Sequence, residues 1–290
     1  MGLRMKFNLV LLLAFVIGLA LAAYLSDQIL KQNAREEVLQ NARIMMESAL
    51  GARAYTAQRI QPLLTLQMKR EFRPESVAAF AAAQSFNALR AKFPEYTYKE
   101  AALNPTNPND RATDWEADII HEFRNNADRK ELSVERDTPT GRMLNLARPL
   151  GIYNENCLVC HGRVEDAPAT MTAMYGANNG FGWKMNEIIG AQIVTVPMSV
   201  PLARAQQTFM TFMSLLSGVF LLLLVLLNIM LHFVVIRPVK KMSMIASEVS
   251  LGKADVPEYI KAGSDEISSL SQSFHRMRLS LESALKMLGE

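Results

Sequence analysis

Two stretches of the chain are almost free of polar side chains. Phe7–Leu25 carries 17 apolar residues in 19, broken only by Asn8 and Gly18; Phe209–Ile236 carries 22 in 28, with Asn228 and His232 its most polar members. Crossing about 30 Å of hydrocarbon takes roughly 20 apolar residues of helix, so both segments are expected to span a membrane. Arg4, Lys6 and Ala20-Leu21-Ala22 would also suit a cleaved signal peptide. Against that, helical periodicity continues past the run through Ile29-Leu30, Val38-Leu39 and Met45-Met46, as in an uncleaved helix. Residues 26–92 are rich in helix formers, with Pro62 and Pro74 as the expected breaks. From Phe93 the texture changes: Tyr96-Thr97-Tyr98 alternates like a strand, residues 104–109 form a turn-rich loop, and Trp115–Asn125 returns to helix. Met143–Arg148 and Ile188–Val196 read as buried or half-buried strands. Beyond the second span, Met242, Ile245, Ala246 and Val249 repeat at helical spacing, and Gly252–Gly263 is a connector. Asp265-Glu266-Ile267 then opens a second helix, whose Ile267, Leu270, Phe274, Met277, Leu281, Ala284 and Leu288 alternate three and four residues apart as an a/d seam.

Charge orients these segments. Arg4 and Lys6 precede the first span, and Arg237, Lys240 and Lys241 follow the second; basic flanks favour the cytoplasm. The expected plan is a cytoplasmic N-terminus (1–6), a span (7–25), an outside domain (26–208), a span (209–236) and a cytoplasmic tail (237–290). In a bacterium this is an inner-membrane protein with a periplasmic domain. The mean hydropathy of +0.06 is explained by the two spans, since the rest of the chain has an ordinary soluble composition. That excludes a polytopic transporter and a disordered chain. The two spans imply a lipid bilayer as partner, and no nucleic-acid partner is expected.

The only two cysteines stand in Cys157-Leu158-Val159-Cys160-His161, too close together to staple a domain of this size. C-x-x-C-H is the attachment signature of c-type haem: two thiols add to the haem vinyl groups, and the adjacent imidazole becomes the axial ligand of the iron. A zinc site would want further Cys or His close by, and a thioredoxin-like pair has no need of the histidine. One covalent haem c on Cys157, Cys160 and His161 is therefore expected, outside the membrane where such haem is attached. For the sixth ligand, His121 is the only other histidine in that compartment. Met171 and Met174 follow the motif, and Met45 and Met46 lie on the long first helix in the stripe Leu39, Ala42, Met46, Ala49, Leu50. Arg53, Tyr55, Arg148, Tyr175 and Trp183 are candidates to bond the propionates or pack the ring. No nucleophile, carboxylate pair or metal cluster stands out, so no enzymatic activity is expected.

The run Tyr96–Pro108, Ala147-Arg148-Pro149-Leu150 before the motif and Asn179-Gly180-Phe181-Gly182-Trp183 after it resemble the PAS-like single-haem c domains of cyanobacterial and other bacterial proteins, long catalogued as a domain of unknown function. The likeness covers most of residues 26–200. It implies an α+β domain: a PAS-like sheet with haem against one side and long N-terminal helices packed over it. Members of that family can use a cysteine as sixth ligand. Both cysteines here lie in the haem motif, so the resemblance points to Met45 or Met46, near where such a cysteine would sit on the helix, as the candidate replacement.

The tail over about 237–288, with its proline at the membrane exit and Asp-Glu-Ile opening the second helix, resembles a HAMP linker; a plain dimerising coiled coil is the alternative. A HAMP module implies a homodimer with a parallel four-helix coiled coil. His275 has no kinase signature around it, and His232, paired across a dimer, is a remote candidate for a membrane haem. The expected function is a haem-based transmembrane redox or gas sensor, passing its signal to a cytoplasmic partner in trans because the tail ends at Glu290. The rival is a membrane-anchored cytochrome c exchanging electrons with a periplasmic redox partner.

Overall fold

The computed structural model describes residues 2–251, 253 and 256–288. Gly252, Ala254 and Asp255 of the expected connector, Gly289 and Glu290 of the tail, and the side chain of Leu288 lie outside the described residues. In chain order, α1 (Leu3–Tyr55) passes through a π-helical turn (Thr56–Ile60) into α2 (Gln61–Met68). Then come α3 (Ala78–Arg90), β1 (Thr97–Ala102), α4 (Asp114–Asn125), β2 (Leu132–Thr138) and β3 (Gly141–Gly151). Two short helices, α5 (Leu158–His161) and α6 (Ala169–Tyr175), precede β4 (Ile188–Pro197). The chain finishes with α7 (Ser199–Met230), a second π-helical turn (Leu231–Ile236), α8 (Arg237–Ser250) and α9 (Glu266–Leu288).

It divides into two compact units, Asp27–Thr208 and Met1–Ser26 with Phe209–Glu290. The first holds a four-stranded antiparallel sheet in the order β1-β4-β3-β2. Because side chains alternate across a strand, β3 and β4 bury residues on both faces. Leu144, Leu146, Val194 and Val196 meet Val38, Ala42, Met46 and Ala49 of α1 and Ala82 and Phe86 of α3. On the other face Ala147, Ala191 and Ile193 meet Ile119, Ile120 and Phe123 of α4. The small residues Ala42 and Ala49 let α1 lie close on the sheet, and their spacing with Val38 and Met46 is the expected helical stripe. A capping box between Thr113 and Glu116 starts α4, and Glu116 also accepts a hydrogen bond from Lys99 of β1 at 2.7 Å.

Two expectations need correction. Pro62 does not end the first helix. A proline removes its own N–H and crowds the preceding turn; here the π turn at Thr56–Ile60 widens the helix just ahead of it, and the chain stays helical to Met68. The β2 strand was not among the expected elements. Pro74, by contrast, does separate α2 from α3, at the start of a 3-10 turn over Pro74–Ser76.

In the second unit, two helices are long and apolar enough to cross a membrane, and the Phe15 and Phe220 rings stack at 4.7 Å. In the tail, α8 buries Pro238, Met242 and Ile245. The connector is tied to α9: Ser271 Oγ accepts from the Lys261 backbone N–H at 3.0 Å and donates to the Tyr259 carbonyl at 3.1 Å. Asp265 caps α9 by accepting from the Ser268 N–H at 2.7 Å. Its carboxyl is held below the usual range by hydrogen bonds from Lys261 and then Ser268.

Candidate functional site

The C-x-x-C-H segment lies in the insert between β3 and β4. Asn154 opens it, its side chain accepting from the Asn156 N–H at 2.9 Å. Cys157 ends a 3-10 turn, and the short α5 then places His161 at its last position. Both thiols are half-buried and free. Among the described residues no three His, Cys, Asp or Glu side chains converge as metal ligands would, so the two cysteines and the histidine do not form a closed metal triad.

The grip on His161 is specific. Its Nδ1 lies 2.8 Å from the Gly180 carbonyl oxygen. A carbonyl only accepts, so Nδ1 carries the proton and Nε2 keeps a free lone pair. Thr106 Oγ1 is a second neighbour of Nδ1 at 3.3 Å. The Trp183 indole stacks on the imidazole with ring centroids 4.1 Å apart. Burial lowers the His161 pKa and the Gly180 hydrogen bond opposes that shift, which keeps the ring neutral, the form that binds metal.

The surrounding loops form one layer. The Gly182 and Trp183 N–H groups donate to the Gly162 and His161 carbonyls at 2.8 and 3.1 Å, while the Gly180 N–H donates to Asn104 Oδ1 at 3.2 Å. Gly180 has a φ of +83°, and a Cβ there would collide with Thr106, so no other residue would present this carbonyl equally well.

A second polar group lies close by. Arg53, at the end of α1, pairs with Glu100 of β1. Glu100 also accepts from Tyr98 Oη at 2.7 Å, and Gln192 Nε2 donates to the same hydroxyl at 3.3 Å. Burial opposes the charge on Arg53, but Glu100 and then Tyr98 outweigh it, so its pKa is raised. The same guanidinium is within electrostatic reach of Cys157. Eight residues past the π turn, the Met68 carbonyl accepts from Thr170 Oγ1 of α6 at 3.0 Å. The stretch from Arg53 to Met68 therefore runs beside the cysteine-bearing insert, and its Leu63 and Leu66 are exposed apolar side chains, as is Val159 within the motif.

The other candidates are scattered. Met46 is fully buried between α1 and the sheet, with Met45 packed partly against the same cluster. His121 is exposed on α4, the helix on the opposite sheet face. Met171 is buried and Met174 is 52% exposed. Arg148 is engaged with Glu47 and Glu131, and Tyr55 is exposed. Tyr175 packs edge-on against Phe72 at 5.8 Å. Sequence reasoning missed Glu100 and Met68. Glu100 carries a signal, a carboxylate within an alternating strand. Met68 carries none, and its sulfur accepts from Ser76 Oγ and the Arg73 N–H, both at 3.2 Å.

The Tll0287-like family model matches residues 31–197, more than half the chain and nearly all of the unit that holds this site. The chain belongs to the Tll0287-like family. A solved structure described as the cyanobacterial heme-protein Tll0287 is similar to it, with 17% identity and a TM-score of 0.44 over 56% of this chain and 95% of that one. No curated protein matches the chain.

Proposed function

We propose that this member of the Tll0287-like family binds one covalent haem c through Cys157, Cys160 and His161, in a domain anchored by two membrane helices, and that it serves as a sensor. One observation carries the haem assignment: His161 is fixed through Nδ1 by Gly180 and stacked by Trp183, with Nε2 left for iron, beside two free thiols at C-x-x-C spacing. An outer hydrogen bond of this kind sets the tautomer and ring orientation of a ligating histidine. The heme-protein description of the similar solved structure is consistent with it. When bound, the haem would supply a one-electron redox centre, with gas binding where its second axial position can open. The chain's own part is to hold the His161 ring neutral and oriented, and to keep the Arg53 cation within electrostatic reach of Cys157.

The tail favours a sensor over an electron carrier. The proline-initiated α8, the strapped connector and α9, with exposed Leu270, Met277 and Leu281, fit a HAMP-type module whose seam is covered by a second copy. Electron transfer has no need of a cytoplasmic module of this kind, whereas a sensor needs a bistable one. On this reading Arg4, Lys6, Arg237, Lys240 and Lys241 mark the cytoplasmic side of a bacterial inner membrane, the haem domain is periplasmic, and the signal leaves through a partner in trans. No catalytic activity is assigned.

Haem staining after denaturing electrophoresis tests the cofactor. The full chain should retain haem, and Cys157→Ala with Cys160→Ala should lose it. A wild-type chain that never carries covalent haem under conditions of c-type maturation would overturn the assignment. A second test decides between sensor and carrier, through the response of the tail to haem redox state described below.

A further inference from the structure

At one end of the two apolar helices lies an open cavity of about 580 Å³, lined by Arg4 and Asn8 of α1, by Asn228 and His232, and by the apolar Leu224, Val225, Ile229 and Phe233. The polar residues come in pairs four apart, which puts each pair on one face of its helix. Asn8 begins the first apolar run and His232 lies one turn before the end of the second, so the cavity sits at headgroup depth, not at the bilayer centre.

Two features separate this cavity from ordinary helix packing. The Asn8 Oδ1 atom is buried and has no hydrogen-bond partner among the described residues, and a buried acceptor left unmet is costly. Asn228 meets its own need, Nδ2 donating to the Leu224 carbonyl at 2.9 Å. The π turn Leu231–Ile236 widens the helix at His232, and such bulges are frequent at functional sites.

A fitting ligand must therefore offer acceptors to the Arg4 guanidinium and a donor to Asn8 Oδ1, and tolerate the apolar Ile229 and Phe233. We infer that this cavity binds the headgroup of an anionic phospholipid that carries its own hydroxyls, of which phosphatidylglycerol is the probe. The phosphate supplies the acceptors and the glycerol hydroxyl supplies the donor. Basic pockets between membrane helices on the cytoplasmic side commonly take anionic headgroups. The inference rests on the proposed membrane anchoring but not on the haem.

The test uses the full haem-loaded chain in nanodiscs containing phosphatidylglycerol and phosphatidylcholine, with retained lipid counted by native mass spectrometry. Wild type should keep phosphatidylglycerol over phosphatidylcholine by about tenfold or more, a difference of about 1.4 kcal/mol. Arg4→Gln with Asn8→Leu should reduce that preference to near unity, while His232→Gln, which keeps a polar amide, should retain at least half of it. Leu221→Ala, outside the cavity, should leave it unchanged, and the haem spectrum should be the same in every variant. Equal retention of both lipids by wild type, an undiminished preference in the double variant, displacement by inorganic phosphate, or a quinol in place of the lipid would each overturn the inference. Membrane anchoring is read separately: a chain released from membranes by alkaline carbonate fails that reading before any lipid is counted.

Discussion

Gly180 carries more of the site than its lack of a side chain suggests. Its carbonyl sets the tautomer of His161, and its backbone, at a φ of +83°, lies where a Cβ would collide with Thr106. Gly180→Ala should cost about 1–3 kcal/mol, because a Cβ must displace Thr106 from a left-handed backbone position. It should also alter the haem absorption spectrum, and thermal melts with optical spectra check both effects. Asp110 offers a pH test. Burial, and then the charge of Glu100, push its carboxyl up to about 6. That lies above the unfolded value of about 3.9, so the native state holds the proton more tightly, and stability should decline as pH rises from about 4 to 6. Denaturant titrations across that interval should show a flatter profile for Asp110→Asn than for wild type.

Among the elements, α1 has two tasks along one face. Its lower turns bury Val38, Ala42 and Met46 against the sheet, and two turns beyond Met46 the same face presents Arg53 to Glu100. Met46→Ala should cost about 2–5 kcal/mol through the cavity it leaves, read by thermal melts; a haem spectrum that changes with it would support Met46 as the sixth ligand, and an unchanged spectrum would exclude it. Most of this architecture is legible in residue order. The alanine and methionine stripe of α1, the Trp115–Asn125 helix and strands β1, β3 and β4 follow from periodicity, because each buries a regular face. β2 escaped because its inward positions include Arg136, which reads as polar yet covers the Trp115 ring at 4.2 Å. The helix through Pro62 escaped because a π turn leaves no mark in composition. Around the site the motif itself is legible, whereas the Gly180–His161 bond joins residues 19 apart and the Arg53–Glu100 pair joins residues 47 apart, and no periodicity reports such closures.

At the scale of the molecule, the apolar seam of α9 is open, with Leu270 52% and Met277 61% exposed. If a second copy covers it, Leu270→Cys should be joined between chains by a bismaleimide, while Gln272→Cys, off the seam, should not. Repeating the reaction with haem reduced and oxidised tests signalling: a sensor gives different yields in the two states, and identical yields leave only an anchored cytochrome. Strand β4 sets how such a domain bears load. It is hydrogen-bonded along both edges, to β1 and to β3, before the chain turns into α7. Tension along the chain from α7 would act along this doubly held strand in shear, opposed by both ladders at once. The insert carrying Cys157, Cys160 and His161 hangs between β3 and β4 as a side branch of that path. Load along β4 would thus bypass the segment proposed to hold the haem.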